Sequence, residues 1–383
     1  MTATLPAHRL AAPALGWLRA GARGSVLGAG PTAAWADLGG AVLTVTTREV
    51  PLLPNAVALT VPAGALAGLR PGAAVLATPG RLRLGALAVV WDATHPPLWD
   101  PAVPAAASPA LLRARGAAVL AALARGPAAT TPDPGEPPDP GPPPDPGPPP
   151  DPGRPPDPGR PPDPGGPPDP GGPPDPGRPP DPGGPPDPGR PPDPGGPPDP
   201  GPAPEPMELA GQLGRAGVAT AAEPEGRAAL AMLLAAVGRQ DPGLAALAAG
   251  RLLGRGPGLT PEGDDLLAGT AAALAAVRPG AGRLRAALVP GDAGGRTTAL
   301  GATLLRLAAG GLAPEPAGRL LRPGPAGERD WPAALRRLAR LGHGSGLAWA
   351  AAIGATLWTV AGEPAGGRDS VRPSAATDRG RRR

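Results

Sequence analysis

The feature that most limits this chain is a run of twelve six-residue units, all but the last of the form Asp-Pro-Gly-x-Pro-Pro, with an aspartate at every sixth position from Asp133 to Asp199. Proline, glycine and aspartate offer almost no apolar side chain to bury, so such a run cannot offset the entropy of ordering it. It reads as disordered, with local polyproline II character broken at Asp-Pro-Gly turns. Glycine does not recur at every third position, which rules out a collagen helix. What can fold is therefore divided in two, and each stretch exceeds roughly 100 residues, enough to enclose a core.

Those cores are restricted in material. The chain has no Phe, Tyr or Cys, one isoleucine (Ile353) and seven tryptophans, so Leu, Val, Ala and Trp must fill the interior. All 36 basic residues are arginine, and Asn55 is the only asparagine, a bias that points to a GC-rich genome. Net charge is only +4. Basic residues do not cluster with stacking aromatics outside the short Arg379–Arg383 tail, which argues against nucleic-acid binding. The absence of cysteine excludes disulfides, thiol catalysis and zinc-cysteine sites. The apolar stretch Leu10–Leu18 is bracketed too tightly by Arg9 and Arg19 for a signal peptide. No uncharged apolar run reaches membrane-spanning length. A cytoplasmic protein without a membrane partner is the expectation.

The predicted fold class is α+β: a small β-rich N-terminal domain and a mostly α-helical C-terminal domain, separated by the disordered Pro/Gly/Asp hexapeptide repeat. The predicted divisions are a β-rich domain with a closing helix over residues 1–126, the repeat linker over 127–205, a helical domain over 206–365 and a basic tail over 366–383. Strands are expected at Ser25–Leu27, Ala41–Thr47, Val57–Val61, Ala73–Ala77 and Arg81–Trp91, the last showing the half-buried alternation Arg81-Leu82-Arg83-Leu84. A helix capped by Ser108 follows. Beyond Glu205 helices are expected at Met207–Ala216, Pro224–Val237, Pro242–Leu253, Pro261–Val277, Thr298–Ala309, Pro314–Leu321, Pro332–Arg340 and Leu347–Ala361. Asp241-Pro242 and Thr260-Pro261 read as a cap followed by proline at the first helical position.

Three glycine-rich turns that open helices carry the candidate chemistry. In the first, Gly254 to Asp265, backbone amides around Gly256, Gly258, Thr260 and Gly263 are suited to hold an anion. The helix that follows is apolar on nearly every side, so it should be buried, with Asp264 and Asp265 in its first turn. These two lie about 100° apart around the axis and cannot share one job. They are candidate catalytic groups, or else complement the helix dipole and hydrogen-bond the loop. With Glu262 close by, an anion would need an arginine or a cation such as magnesium between, although no ligand spacing establishes a metal. The second turn places Arg296, a fork for carboxylate or phosphate, beside Thr297 and Thr298. The third is Gly342-His343-Gly344-Ser345-Gly346. His343 is a candidate proton carrier, Gly344 would let a ligand approach the backbone, and Ser345 reads as a cap. If the turns converge, they form a small polar pocket in an apolar helical body.

At these residues the sequence resembles a bacterial family that includes a subunit of the oxamate carbamoyltransferase of allantoin catabolism. The resemblance rests on Gly256-Pro-Gly-Leu-Thr-Pro-Glu-Gly-Asp-Asp265, on Arg296-Thr-Thr298 with Leu304-Leu305, and on Gly342-His-Gly-Ser-Gly346. It covers the helical part well and the β-rich part loosely. Family pattern would place a serine at Glu262, a phenylalanine at Leu266 and a hydroxyl residue at Gly344, and it has no repeat. The resemblance implies carbamoyl transfer between oxamate and phosphate through carbamoyl phosphate, with a small anionic substrate and other carbamoyltransferase subunits as partners. Arg296, the loop amides of Gly256 to Gly263 and His343 would supply donors to the phosphate and to the transition-state carbonyl oxygen. Two further readings are a noncatalytic ligand-binding or assembly subunit and a flexible scaffold whose repeat is the functional element.

Overall fold

The computed structural model describes residues 3–19, 21–105, 109–126 and 204–360. The repeat, the Ser108 cap and the arginine tail lie outside the described residues.

The first part is a closed β-barrel. Strand β1 (Ala3–Ala11) runs into helix α1 (Ala12–Arg19), followed by β2 (Arg23–Ala29), β3 (Ala33–Asp37), β4 (Val42–Thr46), β5 (Ala56–Leu59), β6 (Ala74–Thr78), β7 (Arg81–Leu84), β8 (Leu87–Val90) and the short β9 (Leu98–Trp99). The strands are ordered β5-β4-β3-β2-β6-β7-β8-β1-β9, and a further pairing of β1 with β5 closes the ring. Closure falls to β1 because it is long enough to serve two neighbours. Its first half runs parallel to β8, Ala3 opposite Leu87 through Pro6 opposite Val90. Its second half runs antiparallel to β5, with Leu10 opposite Val57. Alternation then directs Leu10, Val26, Leu43, Val45, Val57, Leu59, Val75, Leu82, Leu84 and Val89 into one core, which α1 joins through Ala14, Leu15 and Leu18.

Two sequence expectations change here. The stretch expected as one strand over Arg81–Trp91 is a hairpin, because Gly85 adopts φ +56 and lets β7 fold back on β8. The apolar stretch at Leu10–Leu18 ends one element and makes the next, so that β1 and α1 were hidden in a single hydrophobic segment.

The second part is helical: α2 (Pro109–Ala124), α3 (Pro206–Arg215), α4 (Ala219–Ala222), α5 (Pro224–Arg239), α6 (Pro242–Leu252), α7 (Glu262–Val277), α8 (Gly282–Ala287), α9 (Ala293–Arg296), α10 (Ala299–Ala309), α11 (Glu315–Leu320), α12 (Gly324–Ala339) and α13 (Ser345–Val360). Asp241 caps α6 as expected, accepting from the amides of Gly243 and Leu244 at 2.9 and 3.0 Å. Pro332, read as a helix start, lies inside α12, which begins two turns earlier.

At the centre are α7 and α13. Every residue of α7 from Gly263 to Val277 is buried, and α13 is buried along most of its length. Both are built largely of Ala and Gly, so neighbours approach closely. Helix α2, which the sequence reading grouped with the β-rich part, packs here: a Cβ on Gly116 would come 2.8 Å from the carbonyl oxygen of Gly354 and 2.9 Å from Leu357 Cβ. Leu112, Val119, Leu120 and Leu123 of α2 belong to the helical core. The buried Arg115 guanidinium donates to the Leu320 carbonyl at 2.9 Å and pairs with Glu328. Helix α2 precedes the repeat and α3 follows it, and the two are in contact.

Barrel and helical body also meet directly. Val42 and Trp35 pack on Leu300 and Leu304 of α10, the Val42 amide donates to Thr303 Oγ1 at 3.1 Å, and the Glu315 amide donates to the Leu52 carbonyl at 2.9 Å. No helix among the described residues is long and apolar enough to cross a membrane.

Two predictions follow from the position of α2. Gly116→Val, forced against backbone, is expected to cost about 1–3 kcal/mol in urea unfolding, while Gly282→Ala, which has open space around it, should stay within about 0.5 kcal/mol. Excising residues 127–203 through a Gly-Ser loop of about ten residues should leave the near-ultraviolet circular dichroism of the tryptophans and the unfolding midpoint unchanged. A large loss in the excised protein would mean that the repeat contributes to the fold.

Candidate functional site

Asp264 and Asp265 reach in different directions from the first turn of α7, and each gathers a different part of the chain. Asp264 Oδ1 accepts from the Gly254 amide at 2.8 Å, and its Oδ2 accepts from the Thr297 hydroxyl. The first and second glycine turns are joined there. Thr298 strengthens the junction: its hydroxyl donates to the Leu259 carbonyl while accepting from the Gly301 amide at 2.9 Å, which caps α10. Gly301 has no alternative at its position, because a Cβ would overlap Asp264 Oδ2.

Asp265 points toward α13. Its Oδ1 accepts from the indole Nε1 of Trp349 at 3.1 Å. The Thr260 and Ser345 hydroxyls lie beside it and bond to each other at 2.7 Å, joining the first turn to the third. All three turns therefore converge on the start of α7. Thr260 is not the cap that the sequence suggested: α7 starts after Pro261 without a side-chain cap, because the Thr260 hydroxyl is taken by Ser345.

Burial sets the electrostatics. Asp264 and Asp265 are 2% and 3% exposed. Desolvation raises the pKa of Asp264, against the stabilising bonds from Thr297 and Gly254. Asp265 is pushed up to about 8, chiefly by desolvation, with Ser345, Trp349 and Thr260 opposing and the neighbouring Asp264 charge adding to the rise. A carboxyl in this state is a neutral acid near pH 7, able to donate as well as accept.

The other candidates are placed differently. Glu262 turns away and receives the Ala219 and Thr220 amides at the start of α4, the first of them at 3.0 Å. The three carboxylates thus do not share a centre, and among the described residues no group of three or more His, Asp or Glu is placed to hold a metal ion. The Arg296 guanidinium donates to the Gly250 carbonyl at the end of α6 and lies 3.7 Å from Asp292, half exposed. His343 is exposed, with no hydrogen bond to a described residue. Gly256 and Gly258 hold positive φ angles of 95° and 104° in the turn. One amide expected to face a ligand is used within the protein, Gly263 donating to Arg255 at 2.9 Å, and in the third turn the Gly346 amide donates to Leu341 at 2.8 Å. Gly344 has open space around it. A recess between α5 and α6, lined by Glu225, Met232, Arg251 and Arg255, contains none of the predicted site residues.

Sequence reasoning missed Trp349 and Gly301, and it placed Gly254 in the first turn with its amide free for an anion, whereas that amide serves Asp264. Trp349 had a signal, since it lies four residues after Ser345 and so on the same face of α13.

The raised carboxyl has a pH signature. In the fold Asp265 holds its proton to about pH 8, whereas free it would release it near 3.8. Its contribution to stability is fully present below about pH 4 and is lost as pH rises through about 8. Asp265→Asn, which cannot ionise, should therefore gain in melting temperature relative to the parent as pH is raised from 5 to 8.5. A gap between the two proteins that does not change with pH would show that Asp265 is ionised throughout.

No curated protein and no solved structure matches the chain. The segment that holds all three turns, residues 252–357, matches the family model described as oxamate carbamoyltransferase subunit AllH, the same family that the turn motifs resemble.

Proposed function

We propose that this chain is a subunit of a carbamoyltransferase-like enzyme that handles oxamate, carbamoyl phosphate or a similar small anionic substrate together with other subunits, in the cytoplasm and without a nucleic-acid partner. The observation that supports it best is the coincidence of the family match with the convergence: the matched segment is the one whose turns meet at Asp264 and Asp265. The chemistry suits a group transfer in which charge moves between oxygens. Neutral Asp265 and the Thr260 and Ser345 hydroxyls donate without adding negative charge. Arg296 and His343, at the outer ends of their turns, are available to an anion arriving from solvent, Arg296 by exchanging its bond to the Gly250 carbonyl for a bidentate one.

A second reading has its own support. The amides of Gly263 and Gly346, and the Thr297 and Thr298 hydroxyls, are engaged inside the protein, as in a subunit whose turns maintain shape for assembly while a partner carries the chemistry.

The two readings separate in a reconstituted complex, by following oxamate-dependent release of phosphate from carbamoyl phosphate. Under the first, Arg296→Ala and His343→Ala should each lower kcat/KM by about tenfold or more with the complex intact by sedimentation. Full activity in both variants would leave this chain an assembly role.

A further inference from the structure

One polar atom at the convergence has no well-aligned bond. Asp265 Oδ2 lacks a hydrogen-bond partner among the described residues, although its residue is only 3% exposed and its other oxygen is well placed against Trp349. A buried oxygen in this state costs free energy that a protein of this kind normally avoids. The Thr260 and Ser345 hydroxyls lie close enough to favour its charged form, but the hydrogen bond in which they are aligned is the one between them.

That hydroxyl pair has the form of a closed latch. Both residues are half-buried, and each ends a turn with room to move: Gly258 and Gly344 have no atom within 4 Å of where a Cβ would lie. Breaking one hydroxyl contact would uncover Asp265 Oδ2 and free two hydroxyls that can either donate or accept. The start of α13 lies at the same place, so an electron-rich carbonyl oxygen would meet the positive end of that helix.

Charge decides what fits. A second anion would be buried beside two carboxyl groups, and no arginine hydrogen-bonds to either one in the described residues. A cation would require both carboxyls to ionise in an apolar surrounding. A planar, uncharged group with a donor and an acceptor side by side meets neither obstacle.

Building on the carbamoyltransferase reading, we infer that Asp265 Oδ2 and the Thr260 and Ser345 hydroxyls form a closed subsite for a primary carboxamide. The protonated Oδ2 of Asp265 donates to the carbonyl oxygen, and the Thr260 and Ser345 hydroxyls accept the amide N–H groups. Trp349 acts as a positioning residue by holding the other carboxyl oxygen.

Trp349 also reports on the subsite, since its indole N–H is bonded to the carboxyl that would bind. The test is a titration of the full-length protein followed by the Trp349 indole signal in proton–nitrogen spectra, assigned by its loss in Trp349→Phe. The probes are oxamate, acetamide, which keeps the amide but lacks the carboxylate, and oxalate, which lacks the amide. Saturable shifts with oxamate and acetamide but not oxalate are expected, weakened about tenfold by Asp265→Ala and also reduced by Ser345→Ala, a rim substitution that serves if the first variant does not fold. Calorimetric oxamate binding that leaves the indole signal and both variants unaffected would overturn the subsite and leave the enzymatic reading intact. No binding of any probe would also overturn it, with Oδ2 then satisfied by water alone, and turnover in the reconstituted complex would decide the enzymatic reading separately.

Discussion

Two adjacent aspartates at the start of one buried helix hold this part of the molecule together. A helix turns about 100° per residue, so Asp264 and Asp265 must face different neighbours. One reaches Gly254 and Thr297, the other Trp349. Through that divergence, segments separated by as many as 85 residues meet at one helix start. The arrangement requires that the carboxyl groups tolerate burial, and they do so in different ways. Asp264 has both oxygens bonded. Asp265 retains its proton.

The rest of the helical body fits around this point. Because α7 and α13 are rich in Ala and Gly, they can lie close enough for the Trp349 indole to reach across to Asp265. Because α2 slots a glycine against α13, the pair is closed from the other side. In a chain without phenylalanine or tyrosine, close approach of backbones replaces the area that large side chains would otherwise bury.

Much of the fold was legible in the sequence where local chemistry decides it. Asp241 before Pro242 and Thr298 before an apolar run marked true helix starts, and the all-round apolar character of Leu266–Val277 correctly indicated a buried helix. What escaped was settled at longer range. Ala33–Asp37 became a strand by pairing between neighbours on both sides, with few β-branched residues to announce it. Thr260 had the identity and position of a cap, but tertiary structure offered its hydroxyl a better partner. The residue types at the three turns named the components of the site, yet their meeting depended on how α7, α10 and α13 pack, which no local spacing encodes. Glu262 illustrates the same limit: its charge threatened the anion reading, and the fold disposes of it at the start of α4.

The placement of α2 also bears on how the protein is made. Its principal partner, α13, follows it by about 220 residues. The barrel can be completed once β8 has emerged from the ribosome, but α2 must then wait for its main partner through synthesis of the whole repeat and most of the helical body, with only the smaller contact to α3 formed on the way. For that interval it presents an adhesive surface to the cell, so the step most vulnerable to misassembly comes late and depends on α13 arriving.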